Sequence, residues 1–149
     1  MVTEGAKLMR YVLDTDPCIF WLKGNRAIEQ QILQVGIEHI AVCVITACEL
    51  AYGSWKPQRH HENLQTLDRL LQTLSMLHTT NRVAQVFGRW KARLEGKGVG
   101  LDDADLLIAA ITYVHDGILV THNQTYFARL PELRIDNWIT PSSRSRGLS

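Results

Sequence analysis

The chain has 149 residues, 46% of them hydrophobic, and a formal charge of +1 from 16 Lys and Arg against 15 Asp and Glu. That length and apolar content suit one domain with its own core. The near-neutral balance excludes a global positive field as the means of holding nucleic acid, so any anionic partner must be held by a local patch.

Residues 8–13 read as a first strand, and the stretch RYVLDTDP ends it on Asp14 and Asp16. Asp16 followed by Pro17 predicts a helix start, with the carboxylate as cap and proline at the first helical position. A short helix over 18–23 then stops at Gly24. Residues 26–35 make a second helix, with Ile28, Ile32 and Val35 at helical spacing and Gly36 just beyond. The run HIAVCVI at 39–45 is apolar and rich in β-branched residues, as expected of a strand covered on both faces. Thr46 and Glu49 have capping-box spacing, which predicts a helix start at Thr46 with Glu49 in its first turn.

Leu64, Leu67, Leu70, Leu71 and Leu74 stripe a helix over 59–77, and Val83, Val86, Phe87, Trp90 and Leu94 stripe another that ends at Gly96. A glycine-rich turn at 96–100 leads into a strongly apolar helix over 103–114. ILVT at 118–121 reads as a buried strand and 133–135 as an edge strand. Strands alternating with helices predict an α/β fold, a parallel sheet with helices on both faces. The expected domain is 1–140, with PSSRSRGLS at 141–149 a disordered tail. Cys18, Cys43 and Cys48 lie in apolar runs without a CxxC pair, as structural thiols of a reducing cytosol do. No window reaches the ~18 apolar residues of a membrane span, so the expected location is the cytoplasm.

The acids fall at one end of this sheet. Asp14 closes the first strand, Glu49 follows the second, and Asn123 lies two residues past ILVT. Strand polarity sets all three in the crevice outside the carboxyl ends of the strands. Asp105 joins them if its helix starts at that edge, as short connections favour. Glu49 could instead reach back to the Thr46 N–H, and Asp102, Asp103 and Asp105 could simply suit a helix N-terminus. Asp14 has no such explanation, because no helix is predicted to start directly after it. Two carboxylates ~4 Å apart repel by about 4 kcal/mol at an effective dielectric near 20, so several in one cleft call for a cation. Oxygen ligands without His or Cys suit Mg²⁺ or Mn²⁺. Asp14, Glu49 and Asp105 are therefore the expected metal ligands.

The succession LDTDPCIFWLKG, ITACELAYG, DDADLLIAA and ILVTHNQTYFARLPELRIDNW resembles the PIN-domain ribonucleases, in particular the VapC toxins of toxin–antitoxin pairs. The resemblance spans about residues 8–138. It implies an α/β/α sandwich whose acidic cleft binds one or two Mg²⁺ ions, with Mn²⁺ as a substitute, and cleaves RNA to 5′-phosphate and 3′-hydroxyl ends. Asp14, Glu49 and Asp105 match the first three acids of that family. The fourth position, often Asp, is Asn123 here, which removes a charge from any second metal position; Asp16 stands where the toxins usually have Asn and can restore it. Thr15 and Thr121 match small hydroxyl residues beside the site, with a structural or a substrate-contacting role.

Local cations for RNA include Lys23, Lys56, Arg59, Arg82, Arg89, Lys91, Arg93 and Arg129. Arg129, in the FARLPEL segment after Asn123, is the best placed. Tyr52 and Trp55 follow Glu49 in LAYGSW and are expected as exposed partner anchors. The resemblance implies a VapB-like antitoxin on that surface and a toxin homodimer. Two rivals are open: a non-catalytic PIN-fold module that clamps RNA, favoured by Asn123, and a phosphatase of the haloacid-dehalogenase type with Asp14 as nucleophile. The second fits poorly, because DDAD opens an apolar helix instead of ending a strand.

Overall fold

The computed structural model describes residues 10–56, 58 and 60–139. The tail at 141–149, residues 8 and 9 of the expected first strand, and Arg59 lie outside the described residues.

The described strands are β1 (Tyr11–Leu13), β2 (Ile40–Cys43), β3 (Ser75–Leu77), β4 (Ile118–Val120) and β5 (Arg134–Asp136). They form one sheet in the order β3-β2-β1-β4-β5, every neighbouring pair parallel. The helices are α1 (Thr15–Leu22), α2 (Arg26–Val35), α3 (Val44–Trp55), α4 (His60–Thr73), α5 (Asn81–Gly96), α6 (Asp103–Val114) and α7 (Gln124–Phe127). Alternation along the strands sorts them into two layers, because successive side chains leave opposite faces of a sheet. Val12, Ala41, Cys43 and Leu119 pack with Val86, Trp90 and Leu94 of α5 and Ile108 and Ile111 of α6. Leu13, Ile40, Val42 and Val120 pack with Ile28 and Ile32 of α2, Leu67 and Leu70 of α4, and Leu74 just beyond it. The result is the α/β/α sandwich.

Three expectations are corrected. The helix expected over 59–77 ends at Thr73, and Ser75–Leu77 is the edge strand β3, paired Ala41↔Ser75 and Cys43↔Leu77. Leu74 and Leu77 are spaced as on a helix, so the leucine stripe runs on through a strand too short to show a period of its own. The strand expected over 39–45 ends at Cys43, and α3 starts at Val44 inside the apolar run. Burial of Thr46 and packing of Val44 and Ile45 on the core outweigh their β propensity. Finally, α1 starts at Thr15, so Asp14, and not Asp16, is its N-cap.

Candidate active site

The chain runs from β1 outward to β2 and β3, then returns to the other side of β1 with β4 and β5. The crevice between β1 and β4 is therefore the switch point of this sheet, where open parallel sheets bind ligands. Asp14 stands there as the residue after β1. Its N–H continues the ladder by donating to the Val120 carbonyl at 2.9 Å. Its carboxylate is held at both oxygens: Oδ1 accepts from the Thr15 N–H at 2.9 Å and Oδ2 from the Thr121 hydroxyl at 2.8 Å. Capping thus supplies the local reason for a carboxylate at this strand tip, since the cap oxygen satisfies an otherwise unpaired helix N–H.

Glu49 does not close a capping box. With Cys43 at the N-cap of α3, Glu49 lies in the second turn and accepts from the Thr15 hydroxyl, tying α3 to the start of α1. The three acids of the DDAD segment divide their work. Asp102 caps α6 through its bond from the Ala104 N–H at 3.2 Å, and Asp103 pairs with Lys91 at 2.9 Å. Asp105 turns into the cleft.

Asp14, Thr15, Asp16, Glu49, Tyr52, Asp105, Asn123 and Phe127 line one open cleft of about 360 Å³. Among the described residues no Lys or Arg lines it. Burial pushes the Asp14 carboxyl above its ordinary value, against the two hydrogen bonds that favour its charge. Burial first, then the nearby Asp14, Asp102 and Glu49, push Asp105 up to about 6. Burial is the chief cause of both shifts, and the neighbouring carboxylates add to it in a cleft that no Lys or Arg lines among the described residues. Larger apolar grooves, one of them lined by Trp21, Ile32, Leu33 and Ile37, lack this concentration of chemistry. Among the described residues no three His, Cys, Asp or Glu side chains form a ready-made metal cage. An open row of carboxylates instead suits an ion that keeps much of its water, and the all-oxygen donor set fits Mg²⁺ or Mn²⁺.

Asn123 reaches the cleft with a side chain that caps nothing, its N–H donating to the Thr121 hydroxyl at 3.0 Å. Thr121 is fully buried, so it orients Asp14 and cannot touch a substrate. Arg129 is not among the cleft residues; it donates to the Gly100 carbonyl at 2.7 Å and lies over the Tyr126 ring. Tyr126, which no sequence motif singled out, accepts from the Asp102 N–H at 2.7 Å, and its hydroxyl favours the charged form of Asp105. Tyr52 and Trp55 are exposed, as expected. Cys18 and Cys43 are buried thiols, but Cys48 is exposed on α3 because its side of that helix faces away from the core.

The profile of the PIN domain family matches residues 11–133. The chain belongs to the PIN-domain family. Ribonuclease VapC2 of Rickettsia felis is 30% identical over 132 residues, covering 87% of this chain and 98% of the relative. The tRNA(fMet)-specific endonuclease VapC of Salmonella typhimurium is 28% identical over 131 residues, covering 88% and 99%. The crystal structure of VapBC2 from Rickettsia felis bound to a promoter DNA fragment contains a chain that superposes with a TM-score of 0.82 at 30% identity, covering 87% of this PIN domain and 99% of that chain. These relatives set this PIN domain among the VapC proteins and remove the phosphatase reading.

Proposed function

We propose that this PIN domain is a Mg²⁺-dependent endoribonuclease toxin, served also by Mn²⁺, that cuts RNA to leave 5′-phosphate and 3′-hydroxyl ends. The observation that carries the reading is the convergence of Asp14, Glu49 and Asp105 on one cleft at the switch point of the sheet, with no cation lining it among the described residues. The activities named for its relatives, ribonuclease and tRNA(fMet)-specific endonuclease, support it.

Asp14, Glu49 and Asp105 would hold the ion, with Asp16 and Asn123 beside them in the same cleft. When bound, a divalent ion lowers the pKa of water and offsets the charge of a phosphate. The protein's own groups prepare that position. Thr121 and the Thr15 N–H fix the two Asp14 oxygens, and the Thr15 hydroxyl fixes Glu49. Tyr126 holds the N-cap of α6 and with it the turn that carries Asp105. Asn123 adds an amide instead of a fifth carboxylate, which limits the repulsion the cleft must bear.

The partner is an antitoxin of the VapB type, a reading supported by the VapBC complexes among the structural neighbours. Trp55, 59% exposed at the end of α3, is its proposed anchor, next to Tyr52. A basic side chain from such a partner would satisfy the cleft's acids by charge and block them. The proposed active form is a homodimer working in the cytoplasm, as the resemblance to the VapC toxins implies.

Expression of the chain alone in a bacterial host tests this reading. New RNA ends bearing 5′-phosphate should accumulate with growth arrest, and an Asp14→Asn chain should produce neither. Growth arrest without new ends would overturn it.

A further inference from the structure

The turn that carries Asp105 into the cleft has few ties of its own. The bonds that cap α5 end with the Val99 N–H on the Leu94 carbonyl at 3.0 Å, and those of α6 begin at Asp102. Among the described residues, no backbone-to-backbone hydrogen bond holds Gly100 or Leu101 in between. Leu101 packs against the core, but Gly100 is exposed with open space where a side chain would stand. The remaining ties come from two residues one turn apart at the end of α7. The Arg129 guanidinium donates to the Gly100 carbonyl at 2.7 Å and lies 5.2 Å from the centre of the Tyr126 ring. The Tyr126 hydroxyl accepts from the Asp102 N–H at 2.7 Å. One cation thus grips both the turn and the ring that meets the turn two residues later. It does not line the cleft.

We infer that Arg129 is a positioning residue for the metal site and not an RNA contact: braced between Gly100 and Tyr126, it keeps the Tyr126 hydroxyl on the Asp102 N–H and so fixes where α6 delivers Asp105. This role rests on the proposed reading of Asp105 as a metal ligand. Removing a group that orients a metal ligand commonly lowers metal affinity by about tenfold or more. Charge makes the opposite demand. Loss of a cation close to the turn that bears Asp102 and Asp105 would, by Coulomb attraction alone, tighten the hold on a divalent ion. The sign of the effect therefore separates positioning from charge.

The test uses the full chain, purified free of partner. Mn²⁺ binding is followed by the electron paramagnetic resonance signal of the free ion, and binding of a fluorescent mixed-sequence RNA 12-mer is followed separately in EDTA. Arg129→Met keeps the reach of an exposed side chain and removes its charge and donors; it should bind Mn²⁺ about tenfold more weakly. Tyr126→Phe keeps the ring, loses the hydroxyl, and should lose about as much. The two losses should not add: in the Tyr126→Phe background, Arg129→Met should cost less than about twofold, because it acts through a bond already gone. RNA binding in EDTA should keep its salt slope in Arg129→Met. Mn²⁺ affinity unchanged or raised in Arg129→Met would overturn the positioning role, and additive losses would overturn the route through Tyr126. A salt slope reduced by about 0.7, the value for one phosphate contact on a single strand, would return Arg129 to the RNA surface and overturn the role as well. A wild-type chain that binds no Mn²⁺ would overturn the metal site itself, and the positioning role with it.

Discussion

Replacing Asp105 by asparagine should stabilise the metal-free protein while ending its catalysis. Asp105 titrates near 6 instead of 3.8, chiefly from burial and then from Asp14, Asp102 and Glu49. At about 1.4 kcal/mol per tenfold change in proton affinity, the full effect is at most about 3 kcal/mol. The carboxyl is only half-buried, so solvent screening reduces this to about 1 kcal/mol. The folded chain holds this proton more tightly than the unfolded one. The penalty is therefore absent below about pH 4, grows between about 4 and 6, and is complete above 6. An asparagine side chain carries no charge and escapes the penalty altogether. In EDTA at pH 7.5 the Asp105→Asn variant should melt about 2–4 °C above the wild type, the shift expected of ~1 kcal/mol in a chain of this size. At pH 4.5 the gap should shrink sharply. Added Mg²⁺ should raise the wild-type melting temperature more than that of the variant, since a ligand that binds only the folded state stabilises it more the tighter it binds. A variant that melts lower at pH 7.5, or higher by the same margin at both pH values, would refute the account of an Asp105 charge made costly by burial and by the neighbouring acids.

Thr121→Val keeps the volume of a fully buried side chain and removes the donor to Asp14 and the acceptor for the Asn123 N–H. It should cost about 2 kcal/mol in urea unfolding, as for a hydrogen bond to a charged group, and lower RNA cleavage at least tenfold; unchanged cleavage would show that Asp14 needs no such support. Trp55→Ala should weaken the antitoxin complex by more than ~1 kcal/mol in calorimetry, and an unchanged affinity would remove Trp55 from the interface. Arg93→Ala breaks a two-pronged pair with Glu132, at 2.6 and 2.8 Å. Because both side chains are about one-third exposed, the loss should be only ~0.5 kcal/mol. Arg93 also holds the Glu132 pKa down from 4.5 to about 2. The pair's stabilisation is therefore present above about pH 4.5 and fades as pH falls toward 2, and the variant should lose that acid-range slope in stability.

Much of the sandwich was readable from periodicity. The striped helices α2 and α5 have enough residues to declare their period, and β2, β4 and α6 were legible as apolar runs between turns. What escaped was short or governed by tertiary contact. The three-residue strand β3 carries no period, and its leucine continues the spacing of α4. The start of α3 lies inside a β-branched run whose burial decides its conformation. At the site, Asp14, Glu49 and Asn123 were legible because strand polarity fixes which end of the sheet they reach, and Asp105 because short connections favour its helix starting at that edge; the cleft gathers all four. Their supports were not. The Thr121 bond to Asp14 spans 107 residues and the Thr15 bond to Glu49 spans 34, and no local pattern encodes a contact across such distances. Tyr126 sat in a stretch read for Thr121, Asn123 and Arg129, yet its own hydroxyl holds the N-cap of α6.

RNA cleavage by the purified chain, followed with and without Mg²⁺ and with the Asp14→Asn variant alongside, tests the central claim most directly. Wild type in Mg²⁺ should cut RNA to fragments with 5′-phosphate ends, and both EDTA and Asp14→Asn should abolish cutting while the folded spectrum persists. Cleavage that survives EDTA, or a folded Asp14→Asn chain that cuts at the wild-type rate, would contradict it.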